Sequence, residues 1–139
     1  RTHPLAKDKI DISNLKNILD ITYGADDIQE ILIHTDILVV DYSSLIFDFA
    51  LSKKSIIFYP FDYMDYIAHS RNMYFDYYKE MPGPFANNEK ELLSLIEAED
   101  VWSKEKDYKK KYEEFNGRFN KYQDGKSSGR LYKLLNSLI

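Results

Sequence analysis

Residues 41–44, Asp41-Tyr42-Ser43-Ser44, place a carboxylate and two aliphatic hydroxyls directly after the apolar run Ile37-Leu38-Val39-Val40. A short unbroken apolar run bounded by polar residues reads as a strand buried on both faces, as in a parallel sheet. Residues 45–51 are apolar apart from Asp48 and read as a buried helix. In an open parallel sheet, ligands sit beyond the carboxyl ends of the strands. A helix N-terminus there offers free N–H groups and a positive dipole end. Ser43 and Ser44 on such a helix start would make a diphosphate site without a glycine-rich loop. The plainer alternative is that one of them only caps the helix. Asp48 falls one turn beyond Ser44. A carboxylate inside an apolar helix needs partners. A ribose diol would supply two O–H donors, a salt bridge to Lys53 or Lys54 is an equal alternative, and exposure at the helix end is the third reading.

Other residue types invite the same double reading. Pro4 forces an extended or turn backbone on His3, which places His3 on a loop at a strand end. There it could donate to a phosphate or simply be structural or exposed. His34 and His69 carry less. Arg1, Arg71 and Arg130 could each pair with a phosphate oxygen or be surface charges. The aromatic stretch over residues 63–78 reads as a stacking surface or as a loop packed by its own rings. Lys109-Lys110-Lys111, interleaved with acids, reads as a solvated helix face, with contact to an anionic membrane surface the alternative, at about 1 kcal/mol per charge.

The elements that must position these residues are legible in outline. The 139 residues suit one domain, and 44% hydrophobic content allows a real core. The absence of cysteine excludes disulfides, cysteine metal sites and cysteine nucleophiles. A net charge of −4 argues against a general nucleic-acid binder. No apolar run is long enough to span a bilayer. The first residues lack a secretory core segment, and the chain opens without Met inside what looks like a motif, so it is expected to be a piece of a longer protein. Residues 15–21 read as a short strand, and Asp26 with Gln29 as the cap of a helix over residues 27–34. Residues 36–60 form a strand–helix–strand crossover, right-handed and parallel, with Lys53-Lys54 closing the helix and Pro60 stopping the second strand. Residues 61–85 are expected to be irregular. Asn88 with Glu91 starts a helix carrying Leu92, Leu93, Leu95 and Ile96. A longer helix over residues 103–122 carries Tyr108, Tyr112, Phe115 and Phe119 on one stripe. Residues 124–128 read as a turn and N-cap before a last helix bearing Leu131, Leu134, Leu135 and Leu138. The order is that of half a doubly wound α/β fold.

Taken in order, these pieces resemble the CDP-glycerol:poly(glycerophosphate) glycerophosphotransferase family. The matching segments are Arg1-Thr2-His3-Pro4, residues 25–44 ending in Asp41-Tyr42-Ser43-Ser44, Phe47-Asp48-Phe49-Ala50, residues 54–59, Asp62 and Tyr66, Tyr74-Phe75-Asp76-Tyr77, Pro82-Gly83-Pro84, residues 124–128, and Arg130. Thr2, Val40, Ser55 and Gly129 depart from the residues usual in the family, and Val40 removes a hydroxyl beside the phosphates. The resemblance implies a Rossmann-like parallel sheet with flanking helices, the C-terminal half of a GT-B architecture, with residues 1–139 as a single nucleotide-donor-binding domain. It implies transfer of glycerol phosphate from CDP-glycerol onto a teichoic-acid or capsular polymer with release of CMP, no cofactor and no metal. Arg1, His3, Asp41, Ser43 and Ser44 would hold the donor phosphates, Asp48 the ribose, and Thr22 and Asp26 would border the base. Asp62, Asp124 and Arg130 would be accessory, and the general base would come from an N-terminal domain not among these residues. The expected setting is the cytoplasmic face of a bacterial cell membrane, with peripheral contact. The alternatives are the donor domain of a CDP-ribitol or nucleotide-sugar transferase, or a non-catalytic, receiver-like or flavodoxin-like nucleotide-binding domain. A receiver would need an acidic cluster on an early strand, which the start of this chain does not supply.

Overall fold

The computed structural model describes residues 14–21, 27–69 and 73–138. The chain divides into two compact units, Arg1–Thr35 and Asp36–Ile139. In the first unit, α1 (Ile28–His34) is capped by Asp27, whose Oδ1 accepts from the Gln29 N–H at 2.8 Å. The helix start thus uses Asp27 rather than Asp26, because Asp27 has the extended backbone (φ −113°, ψ 118°) that lets a cap side chain reach forward. Residues 15–21 form no strand. Asn17 takes a left-handed φ of 67°, which breaks an extended run, and Leu15, Ile18 and Leu19 are 50%, 54% and 80% exposed.

The second unit is built on β1 (Ile37–Val40) and β2 (Ser55–Phe58), which pair in parallel with Ile37 opposite Ser55 and Val40 opposite Phe58. The parallel strand–helix–strand order is as expected. All four residues of β2 are buried, but in β1 only Val40 is. Val39 is 40% exposed, so β1 is not the doubly buried strand that its sequence suggests. The difference follows from position. On the side away from β1, β2 is met by the 84–86 backbone, where the Phe58 N–H donates to Pro84 O at 2.9 Å and Ala86 N–H donates to Phe58 O at 2.8 Å.

Between the strands, α2 (Leu45–Phe49) tightens into a 3-10 turn (Ala50–Ser52), and Lys53 ends it at φ 57°. Ile46, Phe49 and Ala50 turn into the core, whereas Asp48 is exposed. The premise of a buried carboxylate is therefore corrected: the apolar character of the segment belongs to one face only. Residues 61–85, expected to be irregular, hold α3 (Tyr63–His69) and α4 (Tyr77–Glu80). Helix α5 (Glu89–Glu97) starts where expected, with Asn88 Oδ1 accepting from the Glu91 N–H at 2.9 Å. A single turn, α6 (Glu99–Trp102), precedes α7 (Lys106–Phe119), which is shorter than its sequence suggests.

The aromatic stripe of α7 does face inward: Tyr112 and Phe115 are buried, and Phe115 and Phe119 lie 5.6 and 5.2 Å from the Phe47 ring. Three hydrogen bonds tie α7 to the crossover. They run from Tyr112 Oη to Lys54 O at 2.8 Å, from Asn116 Nδ2 to Ala50 O at 3.0 Å, and from Asn120 Nδ2 to Phe47 O at 2.8 Å. Gly125, at φ 68°, makes the turn into α8 (Ser127–Ser137), whose leucines are exposed. Among the described residues, no helix is long and apolar enough to cross a membrane.

Candidate functional site at the carboxyl end of β1

Chain direction puts residues 41–44 at the carboxyl edge of the sheet, immediately after β1 and before α2. Asp41 is exposed, and its Oδ1 accepts from the Tyr42 N–H at 2.6 Å. Ser43 Oγ accepts from the Leu45 N–H at a long 3.4 Å, and Ser44 makes no side-chain capping bond at all. The capping explanation thus fails for Ser44 and holds only weakly for Ser43. Neither the Ser43 nor the Ser44 N–H is hydrogen-bonded among the described residues. Ser44 and Asp48, four residues apart, are both exposed on the side of α2 opposite its buried Ile46 and Phe49. Asp48 pairs with neither neighbouring lysine; Lys54 Nζ instead meets Asp36 Oδ1 at 3.3 Å.

The turn is held from behind by tyrosines. Tyr42 stacks on Tyr66 at 4.0 Å and 17°, and its hydroxyl donates to Asp62 Oδ1 at 2.8 Å. The Tyr77 hydroxyl donates to the Asp41 carbonyl, and its ring lies 5.9 Å from those of Tyr42 and Tyr63. Burial pushes the Tyr42 hydroxyl well above the usual tyrosine pKa, and its bond to Asp62 adds to the shift. Burial and then the Asp41 carboxylate do the same at Tyr77. Both phenols therefore stay protonated near neutrality and act as fixed donors. The aromatic stretch is a region packed by its own rings, and what it packs against is Tyr42 of the site itself. The sequence marks Asp62 as accessory but gives no separate role to Tyr42 or Tyr77. The signal available was the recurrence of tyrosine at 63, 66, 77 and 78.

Asp124 and Arg130 are brought together but satisfy each other. Arg130 Nη1 lies 2.9 Å from both Asp124 oxygens, Nη2 donates to Ser127 Oγ at 3.0 Å, and the guanidinium sits 4.2 Å over the Tyr122 ring. The pair fastens the start of α8. In the lysine run, Lys110 pairs with Glu114 at 3.9 Å on the exposed face of α7. His69 meets Asp65 on α3. Arg1, His3, Thr22, Asp26 and Arg71 lie outside the described residues. Among the described residues, no group of three or more histidines or acids is placed to hold a metal ion.

A parallel crossover with an exposed hydroxyl-rich turn at its carboxyl edge and an exposed carboxylate one helical turn further on defines a small α/β domain, a parallel sheet with flanking helices. The chain belongs to the CDP-Glycerol:Poly(glycerophosphate) glycerophosphotransferase family, whose profile matches residues 1–137. It is 35% identical over 135 residues to the teichoic acid ribitol-phosphate polymerase TarK of Staphylococcus aureus (strain NCTC 8325 / PS 47), covering 96% of this chain and 25% of that protein. It is 34% identical over 133 residues to the teichoic acid glycerol-phosphate transferase of the same strain, covering 94% of this chain and 33% of that protein. Its fold is similar to that of the wall teichoic acid polymerase TagF, with a TM-score of 0.75 and 27% identity over 92% of this chain and 31% of that one. A variant of TagF soaked with CDPG superposes with a TM-score of 0.74 at 27% identity, over 92% of this chain and 31% of that one. The chain spans a quarter to a third of the length of these proteins.

Proposed function

We propose that this chain is the donor-binding half of a CDP-glycerol glycerophosphotransferase. An acceptor hydroxyl of a teichoic-acid or capsular polymer attacks the donor's β-phosphorus. The bond from that phosphorus to the bridging oxygen breaks, CMP leaves, and the acceptor's proton passes to a base outside residues 1–139. The observation that carries this reading is the open face formed by Ser44 and Asp48 beyond β1, with N–H groups at Ser43 and Ser44 that have no partner among the described residues. Ser43, Ser44 and their N–H groups take the diphosphate, with Arg1 and His3 joining them, and Asp48 takes the ribose hydroxyls. Asp41 serves by its carbonyl and its local turn, since its carboxylate would repel a phosphate. Thr22 and Asp26 border the base. The sheet is then the Rossmann-like second half of a GT-B architecture, and residues 1–139 act as one donor-binding domain. No cofactor is needed beyond the donor, because positioning and charge stabilisation suffice for the transfer. The enzyme works peripherally at the cytoplasmic membrane face, where its polymer acceptor is assembled.

A second reading, CDP-ribitol as donor, draws equal support, since the identity to a ribitol-phosphate polymerase is 35% and that to a glycerol-phosphate transferase 34%. Calorimetric titration of the chain with CDP-glycerol, CDP-ribitol, CMP and UDP tests both. CMP and one CDP-polyol bind while UDP does not; binding of UDP alone, or of no nucleotide, overturns the reading.

A further inference from the structure

A groove of about 450 Å³ runs along α7, and among the described residues none of those proposed for the donor lines it. Lys53, Lys109 and Lys121 stand around it with Glu113 as its one carboxylate. None of these three ammonium groups is in an ion pair among the described residues, while Lys54, Lys79 and Lys110 each have one. In a molecule of net charge −4 this is a local excess of positive charge. Its wall is rigid, because the hydrogen bonds from Tyr112, Asn116 and Asn120 lock α7 onto the crossover. Ser103 and Gln123 add neutral hydrogen-bonding groups at the rim. The volume is within the range of small-ligand sites.

We infer that this groove is a second binding site, for a phosphodiester-linked polyol chain: the lysines meet successive phosphates and the neutral groups meet the polyol hydroxyls. Lys53 lies two residues before β2, so the groove lies toward the amino end of the sheet, opposite the donor turn. It holds the polymer away from the reacting end instead of taking part in the chemistry. The identity of the polymer rests on the donor-binding reading above; the charge and shape of the groove do not.

Gly117 lines the groove, and a Cβ there meets no atom within 4 Å. A larger side chain at 117 therefore fills the groove without disturbing α7, and leucine favours the helix over glycine. The full chain is titrated with a defined poly(glycerol phosphate) oligomer and, separately, with CMP. In Gly117→Leu the oligomer binds about tenfold more weakly, the scale of one lost charge-assisted contact, while CMP affinity is unchanged. The paired reversal Lys53→Glu with Lys121→Glu has the same effect, and wild-type oligomer binding weakens with added salt. Unchanged oligomer affinity in both variants overturns the groove. So does equal binding, with the same Gly117→Leu sensitivity, to vesicles of anionic glycerophospholipid, which would make this a membrane face. Groove-dependent oligomer binding without any CMP binding sinks the donor reading and leaves the groove; CMP binding without oligomer binding does the reverse.

Discussion

Ser44 and Asp48 are exposed on one side of α2, and neither side chain has a partner among the described residues. A capping serine gives up about 0.5–2 kcal/mol of stability when truncated, but Ser44 makes no such bond and the bond to Ser43 is stretched to 3.4 Å. The double change Ser43→Ala with Ser44→Ala is therefore expected to leave the urea midpoint nearly in place. It should weaken CDP-glycerol binding by about 1.5–3 kcal/mol per lost bond to a charged oxygen. An unchanged dissociation constant would return both residues to a structural role. Asp48→Asn keeps the shape and removes the charge that two ribose hydroxyls would donate to. It should cost about 1–3 kcal/mol in CMP affinity and less for 2′-deoxy-CMP, which has already lost one donor. Equal weakening of both nucleotides rules out the ribose assignment. The turn itself was legible, because an apolar run followed by two hydroxyls is a local pattern. The exposure of Asp48 was not, since its apolar neighbours hide which face it takes. The tyrosine support was not legible either: it joins Tyr42 to Asp62 across 20 residues and Asp41 to Tyr77 across 36.

Elements with local capping signals were found where the sequence places them. Asn88 and Glu91 bond reciprocally at the start of α5, with Asn88 Nδ2 donating to Glu91 Oε1 at 2.8 Å. Helix α4 is only four residues long and is held by ring packing against Phe58, Tyr63 and Phe85, contacts that no short window contains. The backbone at 83–86 completes the sheet edge, and its closeness depends on Gly83. A Cβ on that residue would stand 2.0 Å from the Ile56 carbonyl oxygen and 3.1 Å from Phe58 Cε2. The first of these is backbone inside the buried strand β2 and cannot step aside. Gly83→Ala is thus expected to destabilise the chain by about 1–3 kcal/mol or more, as overpacking of a filled core does. A Gly117→Ala control, whose Cβ meets nothing, should be neutral or stabilising by about 0.5–1 kcal/mol from helix propensity. Chemical denaturation of the two variants side by side tests the distinction; equal midpoints would mean that the 83–86 backbone moves freely off β2.

At the scale of the whole molecule, the proposed transfer demands more than the proposed donor turn offers. An acceptor hydroxyl must lose its proton as it attacks, and the group that takes it must stand within hydrogen-bond reach of the acceptor. Along the described edge beyond β1, the side chains that could accept a proton are spoken for or turned elsewhere. Asp62 accepts from Tyr42, Asp41 accepts from its own neighbour's N–H, and the exposed Asp48 is proposed for the ribose. The tyrosines are held protonated by burial and their partners. The homologous polymerases and transferases carry three to four times as much chain as these residues span. The expected behaviour is therefore binding without turnover: the 139 residues alone retain CMP and CDP-glycerol but release no CMP from CDP-glycerol in the presence of a glycerol-phosphate acceptor. Chromatographic quantification of CMP over time decides it. Steady, acceptor-dependent CMP release would place the base within residues 1–139, with His3 the first residue to replace.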